Sequence, residues 1–206
     1  MLVEYYAHSC FVLSSGRLRV MLDPYGPQTG YKQPLRGATH TLVSHDHFDH
    51  NYVEGVVGRT NVVRGAAERE VDGLRVRGVV APHGGGHGPV TCFCFELDGI
   101  KVCHLSDVGG VIPVGPVDLL MVPVGGGGYT MGPREALEAV KQLKPRWVLP
   151  MHYRTPFLNR EAFPALEPLD NFLRQAGKVQ RPGEGSVELT AATPGAGEVI
   201  ALPHLF

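Results

Sequence analysis

The 206-residue sequence predicts a single mixed α/β domain over residues 1–206, on three observations. Its first half is a series of short apolar runs rich in β-branched and aromatic residues, the composition of strands. Its second half alternates such runs with segments of helical periodicity. No repeat, charge run or polar linker divides the chain. Glycine (27 residues) and proline (17) fall between the apolar runs, as the turns of a strand-rich fold require.

Taken in order, residues 2–13 and 17–22 read as strands joined by a hairpin at Ser14-Ser15-Gly16, and Asp23-Pro24 ends the second. Residues 25–39, with three glycines and two prolines, form a loop long enough to cover a site. A short apolar strand, 40–44, leads directly into a histidine-rich turn. Residues 61–64, 74–81, 90–97 and 100–105 continue the strand pattern, the last two joined at Asp98-Gly99. Residues 117–124 are almost continuously apolar, as in a strand covered on both faces. After the glycine run 125–128, Pro133 suits the first turn of a helix over 134–143. Its Ala136, Leu137, Val140 and Leu143 recur at helical spacing, and Pro145 ends it. Residues 146–151 form another strand, and a helix is expected within 166–176 with Gly177 just past its end. The tail beyond Pro182 is too weakly patterned to assign.

Composition narrows the function classes. Nineteen basic residues against twenty acidic ones leave a formal charge of −1, without the basic footprint of a nucleic-acid or membrane-surface protein. No run approaches the roughly 20 apolar residues of a spanning helix. The start, Met1-Leu2-Val3-Glu4-Tyr5, has no basic or apolar leader pattern, so a cytoplasmic protein is expected. Cys10, Cys92, Cys94 and Cys103 form no Cys-x-x-Cys pair and read as small buried hydrophobes.

Chemistry concentrates in Ser44-His45-Asp46-His47-Phe48-Asp49-His50, which places three imidazoles and two carboxylates within six residues after an apolar strand. Imidazole and carboxylate are ligands that zinc, manganese and iron(II) take where thiolates are absent. Residues two apart in an extended turn face the same way, so His45 and His47 can converge on one ion. Asp49 and His50 can then reach a second. Burying so many polar groups without a partner is costly, which favours metal over a structural role.

His-x-His-x-Asp-His after a short strand resembles the signature of the metallo-β-lactamase superfamily. The resemblance runs over nearly the whole chain. It implies a four-layer αβ/βα sandwich with a binuclear metal site at one edge of two sheets. It also implies a later histidine, a later aspartate and a final histidine, each after a strand. His83 in Val79-Val80-Ala81-Pro82-His83 offers the first, with His87 as a competitor four residues on. Asp107 in His104-Leu105-Ser106-Asp107-Val108-Gly109 offers the second, with Ser106 where the family commonly has glycine. His152 in Pro150-Met151-His152-Tyr153 offers the third. The implied site is His45, His47 and His83 on one ion, Asp49, His50 and His152 on the other, with Asp107 shared.

Three strings further resemble small hydrolases related to ascorbate-6-phosphate lactonase. They are Tyr6-Ala7-His8-Ser9-Cys10-Phe11, the segment from Pro123 to Pro133, and Pro150-Met151-His152-Tyr153-Arg154-Thr155. His8 then either supports a ligand or touches substrate. His104 is expected to support a ligand carboxylate. Tyr129 and Tyr153 border the site, as substrate contacts or as packing. The glycine run lacks the Gly-Lys-Ser/Thr ending of a phosphate loop and is expected to let backbone pass close to the pocket.

The resemblance thus implies a metal-dependent hydrolase. In it a hydroxide activated by two divalent ions, zinc first and manganese or iron as alternatives, cleaves an ester, lactone, thioester, amide or phosphodiester bond. Asp49 and Asp107 would take part in catalysis as well as in binding metal. An iron oxidoreductase on the same fold and a nucleic-acid phosphodiesterase are the alternatives. The absence of a Gly-x-Ser-x-Gly elbow argues against a serine hydrolase. The expected partner is a small molecule. Tyr25, Tyr31, Lys32, Arg36, Arg154 and Arg160 in the flanking loops would suit an anionic one.

Overall fold

Period-two alternation in the N-terminal strands decides the architecture. The computed structural model describes residues 1–33 and 36–205, so Pro34 and Leu35 of the expected 25–39 loop lie outside the described residues. β1 (Leu2–Ala7), β2 (Cys10–Ser15) and β3 (Leu18–Leu22) form an antiparallel meander. The expected strand 2–13 is therefore two strands, broken at His8-Ser9, where His8 takes a left-handed backbone (φ 55°). No glycine or proline marks that turn. β4 (His40–Val43) and β5 (Asn61–Arg64) add to β3 in parallel.

β6 (Glu68–Val71), β7 (Leu74–Pro82), β8 (Pro89–Leu97) and β9 (Ile100–His104) form a second antiparallel run. β6 was not expected. Its Glu-Arg-Glu-Val sequence suits an exposed edge strand, and Asp72-Gly73 makes its hairpin. Parallel strands β10 (Leu119–Pro123) and β11 (Trp147–Met151) follow, every residue of both buried. The tail supplies β12 (Val179–Gln180), β13 (Ser186–Glu188) and β14 (Glu198–Ile200), each too short to show a periodicity. Among the described residues the result is a six-stranded sheet, β13-β1-β2-β3-β4-β5, and an eight-stranded one, β12-β14-β11-β10-β9-β8-β7-β6. Two mixed sheets with few helices make an α/β sandwich of the metallo-β-lactamase type.

Val3, Tyr5, Phe11, Leu13, Val20 and Leu22 point between the sheets and pack with Phe93, Val102, Leu120 and Leu149. The alternate residues Cys10, Val12 and Met21 point outward into a second apolar cluster. Loops supply the cover there: Tyr25, Tyr31, Leu158, Phe163 and Leu166 close over this face. Each such fully buried aromatic or aliphatic side chain stabilises the fold by about 1.5–3 kcal/mol.

Helices cover the other sheet. α1 (Pro133–Leu143) starts at the expected proline and buries Ala136 and Ala139 most deeply, small residues that let it approach β10 closely. Leu137, Val140 and Leu143 pack half-buried at its margins. α2 (Leu169–Leu173) falls within the expected 166–176, and Pro168, extended at its N-cap, sets its start. Gly177 lies beyond its C-cap, Arg174. Cys92 and Cys103 are buried, Cys94 is half-buried and all four thiols are free. No helix among the described residues is long and apolar enough to cross a membrane.

Candidate metal centre

The polar residues singled out in the sequence share one structural position: each follows the C-terminal end of a strand. His8 follows β1, the 45–50 turn follows β4, His83 follows β7, Asp107 follows β9 and His152 follows β11. Parallel strands present their carboxyl ends together, so residues far apart in sequence meet at one edge of the sandwich.

At that edge the imidazole donor atoms of His45, His47 and His83 lie close enough together to hold an ion. His45 Nε2 and His47 Nδ1 are 2.9 Å apart, and the ring of His83 is 5.0 Å from that of His45. A second group unites Asp49, His50 and His152 with His8. Asp107 joins the two: its Oδ2 is 3.0 Å from His50 Nε2, 3.1 Å from His152 Nε2, 3.6 Å from His83 Nε2 and 3.9 Å from His45 Nε2. His87 stays outside. It is exposed, with its ring 6.3 Å from that of His47, and belongs to none of these groups.

Supporting contacts fix this arrangement. His8 Nε2–H donates to Asp49 Oδ2 at 2.8 Å, and the His8 carbonyl accepts the His152 N–H at 2.8 Å, tying β1 to β11 across the two sheets. His104 Nε2–H donates to the Ser9 carbonyl at 2.9 Å, while its Nδ1 lies 3.9 Å from Asp23 Oδ2. It braces the His8-Ser9 turn and touches no donor group. Asp107 C=O accepts the Gly84 N–H at 2.9 Å, which locks the His83 turn to the Asp107 turn. The glycine run allows a close approach: a Cβ at Gly125 would run into the His152 carbonyl.

Asp23, read in the sequence only as a strand terminator, is the hub of the support. Its Oδ2 accepts from His50 Nδ1 (2.8 Å), Ser44 Oγ (2.7 Å) and Ser106 Oγ (3.1 Å), and its Oδ1 from the Ser44 N–H (2.9 Å). In the neutral form of His50, a carboxylate on Nδ1 fixes the tautomer that would leave the Nε2 lone pair to an ion. Ser106 has φ 53°, the conformation for which glycine is usual, and its hydroxyl gains the Asp23 and Ser44 contacts in exchange. A lone Asp-Pro carries no signal for this role. Only the parallel pairing of β3 with β4 sets Asp23 beside Ser44.

Burial raises the Asp107 pKa, but the imidazoles of His152 and His50 outweigh it and hold the carboxyl well below the usual range. His50, His152 and His8 do the same for Asp49. Reciprocally, burial lowers His50 and His152, yet Asp107 foremost lifts His50 well above its ordinary value and His152 to about 9. His8 falls to about 4 and His45 to about 3, both chiefly through burial, and burial also lowers His83. The Nε2 atoms of His50, His83 and His152 and the Oδ1 of Asp107 are buried without a well-aligned hydrogen bond. Such groups are costly to leave alone, and a divalent ion would satisfy them.

A cavity of about 360 Å³ opens above the cluster, lined by His47, Asp49, His83, Asp107 and His152 and walled by Phe48, Tyr129, Ala162 and Phe163. Tyr129 thus borders the site, its ring 5.8 Å from that of Phe163. Tyr153 does not. It is buried against Tyr5, and burial raises its hydroxyl to about 12. Tyr25 and Tyr31 lie in the apolar cover. Arg154 lines a separate groove, Arg36 reaches Tyr6 and Glu4, and Lys32 and Arg160 are exposed and are not part of the lining.

The geometry and the relatives agree on the class. The β-lactamase superfamily domain family matches residues 2–152. A UPF0173 metal-dependent hydrolase of Thermococcus onnurineus is 32% identical over 191 residues, 74% of this chain and 84% of that protein. Another, from Pelotomaculum thermopropionicum, is 30% identical over 92% of this chain and the whole of its own length. A Thermotoga maritima structure, described as a candidate zinc-dependent hydrolase of the metallo-β-lactamase superfamily, superposes with a TM-score of 0.82. That protein is 32% identical, with 97% of each chain covered. The chain belongs to the metallo-β-lactamase superfamily and, within it, to the UPF0173 metal-dependent hydrolases.

Proposed function

We propose that this metal-dependent hydrolase works with two divalent ions and cleaves an ester, lactone, thioester, amide or phosphodiester bond in a small molecule. His45, His47 and His83 would hold one ion, Asp49, His50 and His152 the other, and Asp107 both. The observation that carries this reading is the set of buried donor atoms without a well-aligned hydrogen bond on His50, His83, His152 and Asp107, brought together from four separate strand ends. A donor set of imidazole and carboxylate without thiolate suits zinc first, then manganese or iron. When bound, such ions acidify water and polarise the scissile group.

The chain's own residues prepare that chemistry. Asp23 and His8 orient His50 and Asp49 through the hydrogen bonds described above. Phe163, packed 5.1 Å from the His8 ring and 6.3 Å from the His152 ring, keeps bulk water from one side of the cluster. The Asp49 and Asp107 carboxyls, held well below the usual range by the neighbouring imidazoles, are ionised at neutral pH.

Elemental analysis of protein saturated with zinc, manganese or iron tests the proposal, followed by a panel of ester, lactone and phosphodiester substrates. About two equivalents of metal and hydrolysis of at least one bond class are expected. Less than half an equivalent with every metal would refute it. Two variants separate the histidines of one turn. His83→Ala is expected to lose about half of the bound metal and reduce hydrolysis about a hundredfold, whereas His87→Ala keeps its metal and stays within about threefold of the parent.

Metal uptake has a proton signature. In the metal-free protein His50 and His152 are protonated at pH 7.5, since their carboxylate neighbours raise both above their ordinary values. An ion needs their neutral forms, so binding is expected to expel about two protons. Titration calorimetry in buffers of different ionisation enthalpy reads this number, which falls as pH rises through 9.

A further inference from the structure

The cavity above the cluster carries information about what enters it. Its floor is made of the donor residues. Its walls are apolar: Phe48 with 40% of its surface exposed, Phe163 at a ring distance of 5.8 Å from it, and Tyr129 on the far side of Phe163. Phe48 and Phe163 thus place paired apolar rings in the lining of a cavity whose floor is polar, the usual make-up of a small-molecule site. Among the described residues no lysine or arginine lines this space. Apart from the donor residues and Tyr129, the polar groups of the lining are the exposed His87 and Asp46, whose side chain is 86% exposed and is held by the Asn51 amide at 2.5 Å. The nearest counter-charge to Asp46, Arg64 at 4.0 Å, is not part of the lining. About 360 Å³ lies at the small end of the range for small-molecule sites.

We infer that the substrate presents a neutral, apolar acyl or aromatic group to the wall formed by Phe48, Tyr129 and Phe163, with its reacting bond on the donor floor. This deepens the hydrolase reading and rests on it. An anionic group distal to the reacting bond meets no lysine or arginine in the cavity, loses hydration against two phenylalanines and faces the Asp46 carboxylate. Among the described residues, none of Lys32, Arg36, Arg154 and Arg160 belongs to the lining.

Two arms test the inference on the zinc-loaded protein. In the binding arm, calorimetry compares octanohydroxamic acid with its analogue bearing a terminal carboxylate; the probes share a metal-binding head and differ in the charge of the tail. The neutral probe is expected to bind at least about tenfold more tightly. Phe48→Ala and Phe163→Ala are each expected to erase most of that difference while retaining bound zinc. Phe48 is the decisive variant should loss of the buried Phe163 unfold the protein. Asp46→Lys is expected to improve binding of the anionic probe about tenfold and leave the neutral one within threefold. In the hydrolysis arm, 4-nitrophenyl butyrate is compared with the 4-nitrophenyl monoester of glutaric acid and with bis(4-nitrophenyl) phosphate.

Equal or tighter binding of the anionic probe overturns the inference and leaves the hydrolase reading standing. Turnover of none of the esters, with the neutral probe still preferred, supports the apolar wall and counts against the bond classes proposed. Binding of neither probe overturns both.

Discussion

Asp107→Ala is expected to reduce bound metal from about two equivalents to below one and to lower hydrolysis about a thousandfold. That corresponds to about 4 kcal/mol of transition-state stabilisation. The reason is position. Among the described residues, Asp107 Oδ2 is the one carboxylate oxygen within 4 Å of four imidazole nitrogens, those of His45, His50, His83 and His152. Remove it and two ions would face each other without an intervening anion, while four histidines lose a common countercharge. The metal-free protein offers a second readout that needs no activity. His152, raised to about 9, contributes stability that is fully present below its ordinary pKa near 6.5 and is lost as pH rises through 9. Thermal melts between pH 6.5 and 9 are expected to fall steadily in the parent and much less in Asp107→Ala, because the group that lifts His152 is gone. Equal slopes would mean that Asp107 does not set the charge of this cluster.

Asp23→Ala is expected to damage stability and metal binding together. The carboxylate is fully buried and accepts from the Ser44 backbone, the Ser44 and Ser106 hydroxyls and His50. Deleting one partner of a buried, hydrogen-bonded charge costs about 3–5 kcal/mol. In a chain of 206 residues that is a drop of roughly 10 °C in melting temperature. Zinc affinity is expected to fall about 10–100-fold, the size of effect seen when a ligand histidine loses its orienting partner. Asp23→Asn separates the two effects. The amide preserves shape and can still accept from Ser44, but its NH2 then faces His50 Nδ1 and favours the tautomer with the proton on Nε2. The Asp23→Asn protein is therefore expected to melt within a few degrees of the parent and yet bind zinc at least about tenfold more weakly. If affinity and melting temperature declined in step, the role of Asp23 would be structural alone.

The ligand candidates were legible because the pattern that identifies them is local. His45, His47, Asp49 and His50 sit in one turn, and His83, Asp107 and His152 each follow an apolar run whose end is visible. Of their supports, His8 was singled out in the sequence, whereas Asp23 and Ser106 were not legible in that role. Asp23 and Ser106 become neighbours only when β3, β4 and β9 bring their ends together, a long-range event without a local trace. The His8-Ser9 turn was hidden inside a continuous β-like run, since a histidine in the left-handed region leaves no glycine to announce it. Phe163 is a single aromatic in a loop, and nothing in its surroundings says that the loop folds back over the site. Whether the loop cations line the cavity was not legible either: charge is visible in sequence, but the direction of a side chain is not. The short tail strands were missed because two or three residues cannot display a period of two.

The loop cover of the six-stranded sheet has an evolutionary consequence. Segment 154–167 seals the outward face of β2 and β3 through Leu158, Phe163 and Leu166, and the same Phe163 forms the cavity wall. Asn159 fastens the segment to the backbone at Gln28 and Thr29, within the other covering loop. Remodelling the cavity for a new substrate by changing this segment therefore also opens an apolar sheet face to water. Diversification along that route is coupled to compensation elsewhere in the fold. Phe48 and Asp46, on the rim and outside the cover, are the positions at which selectivity can drift without that penalty.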